Sequence, residues 1–432
     1  MSAPKRLAPA LERALRTRQA ERLPSLAAAV VRGGEAIWSD AVGTASYEDG
    51  REATPDTQYR VGSITKTFTA TAVMQLRDAG ALDLDDRLQQ HVPEVTEGSP
   101  TIRRLLAHLS GFQRETGEMW VTGEVPSMEE ILAGMASYEL VLPAARAHHY
   151  SNLAYALLGE VVSRHSGSAY TDYVDERIIV PLGLARTTWQ PHDPYAQGYL
   201  VDEFAGTVHR EPHTDLGGVA AMGQLWSTVG DLCAWAAFLA GGREGVLDAS
   251  TVEEMWFPQV MVDPDRWDRG WGLGLELYNR DGRIFGGHGG AMPGHLAGVY
   301  VHRESGVGAA VLTNAGTRAP TPEIALELAS ITLEQWPADV EPWRPEADPP
   351  DDVRPLLGRW WSEGHEFVFT WESGALQARV TGAPVSMLPS VFERDGDGFR
   401  VRSGRERGER LRVDGDRLVW AGYVFTRTQQ TF

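Results

Sequence analysis

A hydroxyl and an amine stand three residues apart in the stretch Val61-Gly62-Ser63-Ile64-Thr65-Lys66-Thr67-Phe68. A serine hydroxyl is a weak nucleophile until a neighbouring base takes its proton, and an uncharged lysine can be that base. Beyond it, Phe68, Ala72, Val73 and Leu76 fall three and four apart, which predicts a helix. With Ser63 at the start of that helix, Lys66 lies one turn later on the same face. The positive end of the helix dipole and burial would both disfavour an ammonium there. Ser-x-x-Lys is expected by chance about once in a chain of this length. A second copy, Ser2-Ala3-Pro4-Lys5, reads as chance at a terminus with a proline inside it. Composition sharpens the case for the first: of 40 Lys+Arg residues, all but Lys5 and Lys66 are arginine, which cannot act as a base.

Two further groupings could complete such chemistry. Tyr150-Ser151-Asn152 offers a phenol that can relay a proton to a leaving group, and an amide that can orient the lysine and hold a carbonyl. Taken alone it reads as a tyrosine beside a helix cap, because Asn152 suits an N-cap. Phe285-Gly286-Gly287-His288-Gly289-Gly290-Ala291 reads as a strand ending in glycines, where a backbone can approach a substrate closely. Its N–H groups could bind an oxyanion, and His288 could supply a hydrogen bond or a proton. Alone it is a glycine-rich strand end with a surface histidine. Neither phosphate-binding glycine pattern is present, and His148, His149, His192 and His213 lack metal-ligand spacing. The expectation is chemistry without metal or cofactor.

Elements that could position these residues follow from the apolar pattern. Residues 7–22 are amphipathic, and residues 26–42 form two apolar runs around Gly33-Gly34, a predicted hairpin. Helices are expected from Thr101, from Ser127 as a cap for 128–136, over 153–164, and from Ser227 to 239. Residues 190–222, polar and rich in His, Asp and Gly, suit a long loop over a site. Strands are expected at 272–277, 283–287, 297–302 and 307–313, then a helix over 322–334 with Thr321 as its N-cap and Pro322 first. Strands at both ends with helices between imply an α+β domain whose terminal strands share one antiparallel sheet. Prolines at 337, 342, 345, 349, 350 and 355 mark an extended linker over 336–355. Seven short alternating strands over 356–432 imply a small antiparallel β-barrel or sandwich. Cys233 falls in a helical pattern and reads as core, and Trp120, Trp226 and Trp271 are candidates to line a pocket.

The chain has 432 residues, 42% hydrophobic and 23% charged, enough for two domains. A net charge of −19 with no basic patch argues against nucleic acid and anionic membrane as partners. A single cysteine permits no disulfide within the chain. No signal peptide and no membrane-spanning stretch is visible, so a cytoplasmic location is expected.

The three groupings in this order resemble the serine β-lactamase-like and penicillin-binding-protein-like family, which includes class C β-lactamases, D-alanyl-D-alanine carboxypeptidases, D-aminopeptidases and esterases. Pro55-Asp56-Thr57-Gln58-Tyr59-Arg60, Leu105-Leu106-Ala107-His108-Leu109-Ser110-Gly111, Tyr150 through Gly159, Pro181-Leu182-Gly183-Leu184, and Ser227-Thr228 with Asp231-Leu232 carry the resemblance further, across residues 20–335. It implies a β-lactamase-like catalytic domain over 1–335 and a lipocalin-like barrel over 356–432. It also implies that Ser63 is acylated, Lys66 is its base, Tyr150 relays the proton and Asn152 orients. His288, Gly289 and Gly290 fill the third motif, with Gly289 and Gly290 against the substrate. The Ser63 and Ala291 N–H groups form the oxyanion hole, and His108 packs. Histidine replaces the Lys-Thr-Gly lysine of the family's penicillin-binding members, as in its esterase and peptidase branches. A neutral imidazole would hold a substrate carboxylate poorly, which disfavours strong β-lactamase activity. The expected function is hydrolysis of a peptide, ester or related small acyl substrate, a D-residue peptide included. The alternative is a penicillin-binding-protein-type thioesterase that takes a carrier-bound peptidyl thioester and cyclises it onto an amine. A sensor that acylates without turnover is the third reading. Ser63→Ala should abolish acylation, read as the absence of a mass adduct on the intact protein; turnover by that variant would refute the mechanism.

Overall fold

Alternation along one central strand organises the catalytic half of the molecule. In Ser25–Arg32, the side chains of Leu26, Ala28 and Val30 enter one core and those of Ala27, Ala29 and Val31 enter another, so the strand is buried on both faces. The computed structural model describes residues 4–95, 99–339, 342–345, 347–384 and 386–429; Ser2 of the chance motif lies outside them. The chain divides into two units, Met1–Ala338 and Asp339–Phe432.

The first unit is built on a nine-stranded antiparallel sheet. Its order is Arg51–Glu52, Glu35–Ser46, Ser25–Arg32, Val307–Thr313, His295–His302, Arg283–Met292, Glu276–Arg280, Arg269–Trp271 and Val260–Met261. The early hairpin meets the late strands at the sheet centre, where Leu26 lies opposite Thr313. Helix Leu7–Gln19 covers one face through Leu7, Leu11 and Leu15, together with helix Thr321–Gln335. The other face meets the helix Val229–Gly241 and the larger core of the helical region.

Two helices of that region are apolar or small on nearly every side and are buried accordingly: Thr65–Asp78 and Asn152–Ser166. Trp235 stacks on Phe68 at 3.7 Å between ring centroids and donates its indole N–H to Thr67 Oγ1 at 2.8 Å. Cys233 is buried in the same core. Ser127 and Glu130 form a reciprocal capping box at Met128–Ala133.

Several local expectations change. Thr321 is not the cap of the last helix: Pro320 holds that position, and Thr321 instead donates its hydroxyl to Ala297 O at 2.8 Å. Residues 190–222 are not one long loop. They hold the hairpin Tyr199–Asp202 with Thr207–Arg210 and a short 3₁₀ segment, Gly217–Met222. The expected strand at 272–277 is broken at Gly274, whose φ is +79°.

The second unit is an eight-stranded antiparallel barrel: Gly358–Ser362, His365–Glu372, Ala375–Val380, Ser390–Asp395, Gly398–Ser403, Arg410–Asp414, Arg417–Trp420 and Tyr423–Phe425, each beside the next. Trp361 and Thr426 exchange backbone hydrogen bonds of 2.8 and 3.0 Å and bring the first strand against the end of the last. Trp360, Phe369, Phe392, Trp420 and Phe425 fill it. The strand absent from the sequence expectation is Ser390–Asp395. It pairs with one neighbour over three residues and with the other across an irregularity between Val391 and Phe392, so its alternation is short. Among the described residues, no helix is long and apolar enough to cross a membrane.

Trp235→Ala should remove about 3–5 kcal/mol from the stability of the first unit, because it deletes a fully buried indole and orphans Thr67 Oγ1. Urea unfolding followed by circular dichroism reads that loss.

Candidate active site

The chain enters the site through the short strand Tyr59–Arg60, which pairs with Trp226–Ser227. Val61 donates its N–H to Leu225 O at 2.9 Å, and Gly62 then turns with φ +51° into the 3₁₀ turn Gly62–Ile64. Ser63 therefore lies two residues ahead of the α-helix proper, and Lys66 in its first turn. Lys66 is fully buried, with Nζ 3.0 Å from Ser63 Oγ and 2.5 Å from Met222 O. Burial holds the amine well below its usual range; the Glu115 carboxylate opposes that shift and Arg114 adds to it. An uncharged Lys66 can donate one N–H to Met222 O and keep its lone pair for the Ser63 proton.

Tyr150 sits immediately before the helix Asn152–Ser166. The cap of that helix is Ser151, whose Oγ accepts from Ala154 N, and not Asn152. The Tyr150 ring stacks on His108 at 4.1 Å, with Lys66 Nζ 5.1 Å and the Arg114 guanidinium 5.0 Å from its centroid. His108 adopts φ +54° and accepts the Ser151 N–H through Nδ1 at 3.1 Å, so it supports both the phenol and the helix start. Burial raises the Tyr150 phenol above its usual range, and a hydrogen bond with Ser63 only partly offsets that. The phenol is therefore protonated at neutral pH and can give a proton to a leaving group.

The glycine strand, Arg283–Met292, runs through the whole third motif and ends beside Ser63. A Cβ on Gly62 would stand 2.7 Å from Ala291 N, and one on Gly290 would stand 1.9 Å from Val61 O. Only bare backbone on both segments permits that approach, which sets the Ser63 and Ala291 peptides side by side. Two N–H groups so placed can hold a developing oxyanion. Gly287 is required for another reason, since its Cβ would meet Val299 O of the next strand at 1.8 Å. His288 is 3% exposed and packs edge-on to Trp271 at 5.3 Å. Its Nδ1 is bonded to Gly289 O, which places the proton on Nδ1 and leaves Nε2 as an unpartnered acceptor. Burial pulls its pKa down to about 4 against the opposing effect of Glu276.

These groups meet in a cleft of about 810 Å³. Ser63, Tyr150, Asn152, His288, Gly289, Gly290 and Ala291 all line it, and Lys66 lies beneath. Trp120 and Trp271 line it too; Trp226 does not, and stands against Arg60 and His295 instead. Glu115 is the polar group that sequence reasoning missed. Both its oxygens lie 2.9 Å from Asn152 Nδ2, and Oε2 also accepts from Trp120 Nε1 at 2.9 Å. The amide of Asn152 is thereby oriented, and its Oδ1 is left buried without a partner. Glu115 sits in an irregular segment with no spacing to betray it, and Met222 contributes only a backbone carbonyl. Among the described residues, no group of three or more His, Cys, Asp or Glu could hold a metal ion.

The beta-lactamase family model matches residues 11–333. The chain belongs to this family. Its members are serine acyl hydrolases of the β-lactamase and penicillin-binding-protein type, D-amino acid amidases included. Residues 349–427 match a model described as a domain of unknown function, DUF7586. Penicillin-binding protein 4 of Amycolatopsis lactamdurans is 31% identical over 382 residues, covering 81% of this chain and 96% of that protein. Beta-lactamase-like protein 2 of Dictyostelium discoideum is 31% identical over 272 residues, covering 59% of this chain and 49% of that protein, so the match spans about half that relative's length. The D-amino acid amidase of Ochrobactrum anthropi SV3, solved with L-phenylalanine amide, is 25% identical with a TM-score of 0.66, covering 77% of this chain and 98% of that one.

Lys66→Arg puts a permanent cation in place of the uncharged base, and should lower kcat/KM by about 10³-fold or more in a steady-state assay. His288 has a folded pKa of about 4 against an unfolded value of 6.5, and burial holds the His108 and His295 pKa values well below 6.5. The unfolded chain therefore takes up more protons as pH falls, so stability is full above about 6.5 and declines toward 4. Melting temperature measured from pH 7.5 to pH 4.5 should fall through that window.

Proposed function

We propose that the protein hydrolyses amides and esters whose acyl part carries a free amine, with D-amino-acid amides and amine-terminal D-peptides as the substrate class. Ser63 attacks the carbonyl while Lys66 takes its proton, and the Ser63 and Ala291 N–H groups hold the oxyanion. Tyr150 protonates the leaving amine or alkoxide, and water then releases the acyl group from Ser63.

The observation that carries this reading is the polarity of the cleft. Asn152 spends its N–H₂ on Glu115 and His288 spends its N–H on Gly289 O, which leaves Asn152 Oδ1, His288 Nε2 and the Glu115 carboxylate as acceptors. Arg114 and Arg269 line the cleft as well, but each is paired with a carboxylate, Glu115 and Glu276, and the acceptors left over suit an ammonium on the acyl group. An uncharged imidazole at 288 in place of an ammonium also makes β-lactams poor substrates. The preference for the D-series is supported by the likeness to the D-amino acid amidase.

The test compares D-phenylalanine amide, its L-enantiomer and N-acetyl-D-phenylalanine amide, with product masses recorded. The free D-amide should be turned over to the linear acid, and acetylation should cost about 10²-fold or more in kcat/KM. Glu115→Gln should raise KM for the free amine more than for an ester without one. Preference for the acetylated amide would refute the reading, and a cyclic product from a D-residue peptidyl thioester would assign acyl transfer instead.

A further inference from the structure

Behind the segment that precedes Ser63 lies a second polar cluster, outside the cleft. Arg60 is 1% exposed. Its Nη2 donates to Gln224 Oε1 at 3.2 Å, while Nε and Nη1 are buried without a partner. Gln224 Oε1 is shared with the Leu216 N–H. Asp215 is the acid whose charge acts on Arg60, but its oxygens accept from Gly217 N and Gln190 Nε2, and Arg60 makes no ion pair among the described residues. Burial draws the guanidinium down only to about 10, so it is charged at neutral pH.

His295 lies against the same indole. The Trp226 ring has the Arg60 guanidinium 5.8 Å, the His295 ring 5.4 Å and the His213 ring 5.1 Å from its centroid. His295 is fully buried and neither ring nitrogen has a partner. Its ring occupies space that a side chain at residue 198 would fill, since a Cβ on Gly198 would stand 2.8 Å from it. The cluster thus offers Arg60 Nε–H, Arg60 Nη1–H and a His295 ring N–H, next to a buried positive charge that Asp215 acts on from a distance and no described carboxylate pairs directly. A buried charge without a direct partner is unfavourable, and donors with so few acceptors call for an anion.

We propose that Arg60 and His295 hold a small monovalent anion, chloride or another halide, in the interior of the first unit. The site joins the two flanks of the Ser63–Ala291 contact: Arg60 lies three residues before Ser63, and His295 four residues after Ala291. Occupancy would fix the strand Tyr59–Arg60 that leads into Val61 and the turn that follows Met292. The reading is independent of the substrate.

Crystals of the full chain grown without halide and soaked in sodium bromide test it directly. An anomalous peak should appear within hydrogen-bond reach of Arg60 Nη1 or Nε and of His295. In solution, sodium chloride should raise the melting temperature saturably, by about 2 °C or more, over sodium gluconate at equal ionic strength. Arg60→Gln should lose that difference. If bromide gives no peak at the cluster, and water alone occupies it, the proposal is overturned. A chloride effect that persists undiminished in folded Arg60→Gln would likewise overturn it.

Discussion

Everything at the cleft depends on keeping one lysine out of water. Lys66 is enclosed by the Thr65–Asp78 helix, Met222 O and Ser63, and that enclosure, more than any neighbouring charge, makes its amine a base. A solvated lysine at the same spacing would be an ammonium about 10 pKa-wise, unable to take a proton from serine at neutral pH. The Tyr150 and Tyr155 rings, 5.1 and 5.6 Å from Lys66 Nζ, and the burial of the two helices that carry Lys66 and Tyr155 keep solvent from the amine.

The second constraint is distance between backbones. Ser63 and Ala291 come from segments more than two hundred residues apart, and their peptides can lie side by side because Gly62 and Gly290 carry no Cβ. The glycine run does two jobs in one strand. Gly287 lets the strand pass Val299 O, while Gly290 lets it reach Val61. Gly289 is under less constraint, since the nearest atom to a Cβ there would be Pro322 Cγ at 3.2 Å. Glycine at 289 answers to the open cleft more than to packing.

The polarity of the cleft follows from hydrogen bonds made away from its centre. Asn152 and His288 are each turned by a hydrogen-bond partner, Glu115 for one and Gly289 O for the other. The groups that face inward are what remains after those bonds are made. Tyr150, its pKa raised by burial and its ring stacked on His108, completes a set of uncharged groups flanked by the ion pairs Arg114–Glu115 and Arg269–Glu276.

The sequence alone marked Ser63 and Lys66 as a pair that the fold sets 3.0 Å apart, the order of the three motifs, the two-part organisation and most strands and helices. These are local signals: a Ser-x-x-Lys spacing, a lysine kept where arginine is otherwise used, alternation in strands and 3.6-residue repeats in helices. The helix caps at 127 and the barrel hairpins were readable for the same reason. What tertiary structure decided were contacts with no local trace. Glu115 in an irregular segment, a carbonyl at Met222, Ser151 taking the cap from Asn152, and Thr321 turning to Ala297 O all depend on what another part of the chain places beside them. The short strand Ser390–Asp395 exists because its neighbours offer a ladder, and the buried Arg60 and His295 meet only across the Trp226 indole. Spacing along a chain specifies which groups can share a turn or a face; which proton each group holds is set by the partner and the burial that folding supplies.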